Sequence, residues 1–247
     1  MYIYFLRKAS LSLCLVILTL CLCQSAFAQT EEEMKILRIF YKEEELVVTP
    51  TRHPKPLSHV AENITVITSK DIEEMNAHTL TDVLNIIPGV QMDIRGGPGS
   101  VANARIQGSE FRHVLVVIDG VTINNLSDNY ADLSAIPVQN IERIEIIKGP
   151  ASSSWGSSLG GIINIITKSI NAKKIGGMAS ASYGERNTGD YRAEASGRLN
   201  NFGYYVYGGN LLSNGLRPNT HFYENNIYAK LQLDITEKAK LLFTLGY

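Results

Sequence analysis

Alternation of apolar and polar residues with a period of two constrains the C-terminal third of this sequence more tightly than any other feature. Tyr191, Ala193, Ala195, Gly197 and Leu199 alternate with Arg192, Glu194, Ser196, Arg198 and Asn200, and Ile227, Ala229, Leu231, Leu233 and Ile235 alternate with Tyr228, Lys230, Gln232, Asp234 and Thr236. A strand turns successive side chains to opposite faces, so each segment offers one apolar and one polar face. With 174–183, 202–213 and 241–247, five strands are expected, separated by turn signals at 184–187, 200–201, 214–223 and 237–240 and by no helix. Two architectures satisfy the pattern. A soluble β-sandwich turns its apolar faces inward to a core; a transmembrane β-barrel turns them outward to lipid. Five strands cannot close a barrel, because bacterial single-chain barrels use an even number from eight upward. The last segment, Leu241 to Tyr247, also stops in mid-strand, so under the barrel reading these 247 residues are expected to be the N-terminal part of a longer chain.

The opposite end reads as an export address. Arg7 and Lys8 precede an apolar run from Leu11 to Cys23, too short to cross about 30 Å of hydrocarbon, and Ser25-Ala26-Phe27-Ala28 supplies a small-x-small cleavage pattern. Residues 1–28 are expected to be a removed signal peptide, with an N-terminal anchor as the alternative. All three cysteines (Cys14, Cys21, Cys23) fall inside it, leaving the mature chain without a thiol for a disulfide or a thiolate metal site. The near-neutral balance, 23 Lys+Arg against 24 Asp+Glu, lacks the basic surplus of a nucleic-acid binder.

Residues 29–58 form a glutamate-rich arm ending in Glu45-Leu46-Val47-Val48-Thr49-Pro50-Thr51-Arg52, a β-branched patch that favours extended backbone and reads equally as a first strand or a linker. Over 59–168 the pattern becomes compact and mixed. Thr68 with Asp71 and Thr79 with Asp82 have capping-box spacing; Leu80, Val83, Leu84 and Ile87 fall on one helical face, and Pro88-Gly89 stops that helix. Val90 to Arg95, Ile141 to Lys148 and Gly161 to Thr167 read as strands. Val114 to Ile118 reads as a strand buried on both faces, and Asp119-Gly120 is a hairpin signal. These pieces make a small α+β domain.

Catalytic chemistry is missing from these motifs. Gly156-Ser157-Ser158-Leu159-Gly160-Gly161 lacks the lysine of a phosphate loop and reads as a turn. His53, His59, His78, His113 and His221 show no metal-ligand spacing, and Asp128 and Asp132 supply too few oxygens for calcium. No catalytic residue, protein-held metal or cofactor is expected, and the chain is not expected to be an enzyme.

Five segments in order resemble the TonB-dependent outer-membrane receptors. Glu45 to Arg52 resembles the TonB box; Asp82-Val83-Leu84-Asn85-Ile86-Ile87-Pro88-Gly89-Val90 resembles the helix stop of the plug; Val114 to Val121 is similar to the central plug hairpin. Ile141-Glu142-Arg143-Ile144-Glu145-Ile146-Ile147-Lys148-Gly149-Pro150 and Gly160-Gly161-Ile162-Ile163-Asn164-Ile165-Ile166-Thr167-Lys168 resemble its two closing motifs. Gln107 departs from the family's usual arginine, Pro50 stands inside the box, and Trp155 replaces a usual tyrosine.

The resemblance implies an α+β plug (59–168) followed by the first antiparallel strands (169–247) of a transmembrane β-barrel of about 22 strands, located in the Gram-negative outer membrane. It implies that the box, Glu45, Leu46, Val47, Val48, Thr49 and Pro50, is presented to the periplasm. There it meets a TonB-type energy transducer with inner-membrane partners. Gly97, Gly99, Ser109, Glu110, Phe111, Arg112, Asn125, Asp128 and Tyr130 are the expected substrate-facing plug apices, and Arg105, Arg143 and Glu145 the expected plug–barrel contacts. The implied partners are outer-membrane lipid and an external ligand, a metal chelate such as a ferric siderophore, or cobalamin, taken up actively. The competing readings are a passive porin or surface-binding barrel with a structural stopper domain, and a soluble periplasmic binding module.

Overall fold

The computed structural model describes residues 36–37, 39–41, 45–49, 55–96, 99–151, 155–156, 158–170, 175–236 and 239–246. The expected signal peptide, Pro50, Gly97 and Tyr247 lie outside them. A two-residue strand pair, β1 (Leu46–Val47) with β2 (Lys55–Pro56), comes first. Strand β3 (Ile64–Thr68) then runs straight into helix α1 (Ser69–Glu74). The turn is fixed locally: the Thr68 hydroxyl accepts from the Asp71 N–H, and the Asp71 carboxylate accepts from the Thr68 N–H at 2.8 Å. The same reciprocal cap, made by Thr79 and Asp82, opens α2 (Leu80–Asn85), satisfying donors that a helix start leaves unpaired. Leu80, Val83 and Leu84 of α2 are fully buried.

Next come β4 (Val90–Ile94) and β5 (Ala102–Ile106), paired antiparallel, then β6 (Val114–Ile118), β7 (Val121–Thr122), β8 (Ile141–Lys148) and β9 (Gly161–Thr167). A five-stranded mixed sheet has the order β3-β8-β9-β6-β7, with β6 and β9 parallel. Its inner strands are continuous apolar runs because both faces are covered. One face carries Ile144, Ile146, Ile163 and Ile165 against the helices and the β4–β5 hairpin; the other carries Ile147, Ile162, Leu115 and Trp155. Asp119 (φ 47°) and Gly120 (φ 84°) both occupy the left-handed region, the type I′ geometry of a two-residue hairpin. Beyond the short β7 the buried Asn124 side chain takes over from the backbone. Its Oδ1 accepts from Val116 N at 2.7 Å, and its amide donates to the Val114 carbonyl.

From Gly176 the chain forms a pure meander: β10 (Gly176–Gly184), β11 (Thr188–Leu199), β12 (Phe202–Ser213), β13 (Phe222–Thr236) and β14 (Ala239–Gly246), each antiparallel to the next. The turn expected over 214–223 is tighter than its composition suggests. Thr220 closes it on Arg217, accepting from the Arg217 N–H and donating to its carbonyl, so β13 already starts at Phe222.

The direction of the two faces decides between the architectures left open by the alternation. Asp190, Arg192, Glu194, Tyr205, Tyr228 and Lys230 lie on the face turned toward the mixed-sheet domain, whereas Tyr191, Val206, Ile227, Ile235 and Phe243 are exposed on the other. A water-soluble sandwich buries its apolar face, since each Å² left in water costs roughly 25 cal/mol. Burying the polar face and exposing the apolar one is the arrangement of a wall between an aqueous lumen and lipid. Among the described residues no helix is long and apolar enough to cross a membrane, a fact without bearing on strands.

Candidate functional site

The segment expected to be presented is docked. Leu46, Val47 and Thr49 are fully buried, with Leu46 opposite Pro56 and Val47 opposite Lys55. The anchor is Glu145 on β8, itself fully buried. Its Oε2 accepts from Val48 N at 3.0 Å, from Thr49 N at 2.9 Å and from the Thr49 hydroxyl at 2.5 Å, while its Oε1 accepts from Arg143 Nε at 2.9 Å. Two further groups close on Thr49. The Trp155 indole N–H donates to its carbonyl at 2.5 Å, and the Asn164 amide donates to its hydroxyl oxygen at 2.9 Å. A buried carboxylate is tolerable only when paired and hydrogen-bonded; Arg143 supplies the countercharge and the segment supplies the donors.

The expected apical residues fall into two groups. Gly99 sits with φ 79°, and a Cβ there would meet Phe222 at 3.1 Å, so Gly99 lies against the start of β13. Segments 109–113 and 125–130 are brought together: Asn129 donates to the Arg112 carbonyl, and Phe111 stacks edge-on with Tyr130 at 6.2 Å. Arg105 and Arg112 flank the Phe111 ring at 6.0 and 5.5 Å. Asn125 organises its own turn, accepting from Asp128 N and Ser127 Oγ. Ser109 caps β5 through Ile106, and Glu110 pairs with Arg105 at 3.6 Å. Desolvation, with Asp132 next, pushes the Tyr130 phenol up, leaving it a hydrogen-bond donor at neutral pH. Gly97 lies outside the described residues.

Arg105, Arg143 and Glu145, expected to meet the barrel, have partners within their own domain among the described residues. Arg105 sits between Asp93 and Glu110, and Arg143 with Glu145 holds the docked segment. The physical reason lies in β8, whose alternation points both side chains at the face that the segment covers.

Other residues join the mixed-sheet domain to the meander. Asp119 Oδ2 takes Lys230 Nζ at 3.1 Å and the Tyr228 hydroxyl at 3.0 Å, and Lys230 also donates to the Thr167 hydroxyl at 2.6 Å. Lys168 pairs with Glu194, which also accepts from Tyr205 at 2.9 Å. His78 meets Asp190 and Arg192, and Tyr207 donates to Gln139. The strand alternation marks Arg192, Glu194, Tyr228 and Lys230 as one polar stripe but carries no signal for their partners. Among the described residues no three His, Cys, Asp or Glu side chains are grouped to hold a metal ion.

Three comparisons bear on this geometry. The family model of the TonB-dependent receptor plug domain matches residues 56–162. The vitamin B12 transporter BtuB of Vibrio vulnificus (strain YJ016) is 35% identical over 156 residues, which make up 63% of this chain and 25% of that protein. Among solved structures, the ferripyoverdine receptor of the Pseudomonas aeruginosa outer membrane superposes with a TM-score of 0.70 at 19% identity, over 81% of this chain and 26% of its own. The alcaligin outer-membrane receptor FauA of Bordetella pertussis gives 0.69 at 16% identity, over 82% and 34%. At such identities the structures speak to fold alone. The chain spans about a quarter of the length of the curated transporter it matches.

Proposed function

This chain belongs to the TonB-dependent receptors, with a plug domain followed by antiparallel barrel strands, and from that premise we propose that it serves energy-coupled import of a large, scarce nutrient across an outer membrane. The docked Leu46–Thr49 segment carries the reading. It is a short segment that, among the described residues, pairs as a strand with Lys55–Pro56 and is anchored by Glu145, Trp155 and Asn164, so it can be exchanged as a unit for another strand. An energy-transducing partner takes it by strand addition, in which backbone hydrogen bonds supply affinity and alternate side chains supply specificity. While Val48 and Thr49 donate to Glu145, those donors are closed to any other strand.

The cargo is a metal chelate of the cobalamin or ferric-siderophore class. Support comes from the relative named as a vitamin B12 transporter and from structural neighbours described as pyoverdine and alcaligin receptors. The apical residues Phe111, Arg112 and Tyr130 offer aromatic faces, a guanidinium and a phenol donor to such a ligand. Residues 1–28 act as the export signal, 29–58 as the periplasmic arm, 59–168 as the plug and 169–247 as barrel.

Direct binding tests the cargo. Cyanocobalamin and a panel of ferric catecholate, hydroxamate and pyoverdine-type chelates are titrated onto the detergent-solubilised receptor. Saturable binding of one class is expected, weakened by Phe111→Ala. Absence of binding to every class, with small hydrophilic solutes passing freely, would favour the stoppered porin.

A further inference from the structure

We propose that His78, Asp190 and Arg192 form a proton-controlled clasp between plug and barrel, tightening the seat of the plug as pH falls. The inference rests on the plug-and-barrel reading above. His78 Nδ1 lies 2.5 Å from Asp190 Oδ2 and 3.1 Å from an Arg192 terminal nitrogen, and the two barrel residues are paired with each other through Arg192 Nε and Asp190 Oδ1 at 2.6 Å. One ring nitrogen therefore faces an acceptor and a donor together. It can satisfy only one of them. With a lone pair on Nδ1 the imidazole accepts from Arg192; with a proton there, as in one neutral tautomer and in the imidazolium, it donates to Asp190, and only the imidazolium makes that bond charge-assisted.

The surrounding charges choose between these wirings. From the plug side, Asp82 of α2 accepts from the backbone N–H groups of His78 and Thr79. From β11 come Asp190 and Arg192. Glu224 of β13 lines the same cavity as His78, Gln139 and Tyr207. Three carboxylates stand against one guanidinium, so a charged imidazole brings the cluster toward neutrality and makes the bond that crosses from plug to barrel charge-assisted. Gln139 and Tyr207 hold the ring's backbone in register: the Gln139 amide donates to the His78 carbonyl at 3.2 Å, and Tyr207 donates to Gln139 at 3.0 Å. Asp190 is almost fully buried, whereas the His78 side chain is about one-third exposed at 36%, so bulk protons reach the ring while water does not replace its partner.

The clasp sits apart from the other joints. Asp119–Lys230 and Lys168–Glu194 contain no histidine, the side chain whose charge ordinarily changes between about pH 5 and 8. Acidification thus strengthens one attachment and leaves two unchanged.

Hydrogen exchange of the receptor in detergent, corrected for intrinsic rates, tests this at several values between pH 5 and 8. Protection over 79–85 and 188–194 is expected to rise severalfold toward pH 5 in the wild type and to be flat in His78→Gln, a variant that keeps a side-chain amide for Arg192 or Asp190. Asp190→Asn is expected to flatten it as well. Equal pH profiles in wild type and His78→Gln overturn the clasp. Protection around Asp119 and Thr167 serves as the separate reference: its absence at every pH would mean that the plug does not seat on the barrel, which is a failure of the underlying reading rather than of the clasp.

Discussion

Thr49 and Glu145, 96 residues apart in sequence, meet where both are fully buried, and one Glu145 oxygen accepts from both the backbone N–H and the hydroxyl of Thr49. This contact makes the segment part of the packed plug rather than a loose arm, so under the proposed coupling role it has to be released before a partner can take it.

Replacing Glu145 with alanine leaves Val48 N, Thr49 N and the Arg143 guanidinium without their common partner. Unsatisfied buried donors cost about 1–3 kcal/mol each, so the segment is expected to undock. Trp155 is the only tryptophan in the chain, and its indole donates to Thr49. Its emission should therefore shift to the red in Glu145→Ala and less far in Thr49→Val, which removes only the hydroxyl. Unchanged emission in Glu145→Ala would mean that the segment is held by something else.

Lys230→Met keeps the length of the side chain but removes the charge from the tie between barrel and plug. Asp119 then retains only hydroxyl and backbone donors, from Tyr228 and Thr167. Loss of a largely buried ionic partner is expected to cost about 2 kcal/mol, read as faster hydrogen exchange over 117–122 and 164–168. Lys230→Arg should restore most of the protection.

The Thr68–Asp71 cap has a pH signature. Backbone and side-chain hydrogen bonds from Thr68 hold the Asp71 carboxyl below the ordinary carboxylate range. A depressed folded-state value means that the cap's contribution is present above the unfolded value and disappears as pH falls below about 4. Exchange protection over 69–75 should drop through that window. Thr68→Ala should already lack about 1 kcal/mol at neutral pH and show a flatter acid limb.

Much of this architecture is legible in the residues. Both capping boxes, the Asp119-Gly120 hairpin and the five amphipathic strands follow from spacing that local physics enforces, although β13 and β14 begin earlier than the turn signals suggest. The docked segment is not legible in the same way. Period two puts Arg143 and Glu145 opposite the core residues Ile144 and Ile146, on a face that a reader of β8 alone assigns to water. Its cover arrives from residues 46–49, and no local pattern encodes that. The same holds for His78 with Asp190: each is an ordinary polar residue until two separately folded units are set in register. Arg105 shows the converse case, a charge whose described partners, Asp93 and Glu110, lie close by in sequence.

Import is proposed to depend on handing over the Leu46–Thr49 segment to an energised partner. Val47→Pro, which breaks the extended pairing without touching the apical residues, is the direct probe, with uptake of the bound chelate measured in cells that rely on this receptor. The account predicts that ligand still binds at the cell surface while uptake ceases, as it does when the proton gradient of wild-type cells is collapsed. Uptake at the normal rate in Val47→Pro cells, or in wild-type cells without a proton gradient, would contradict it.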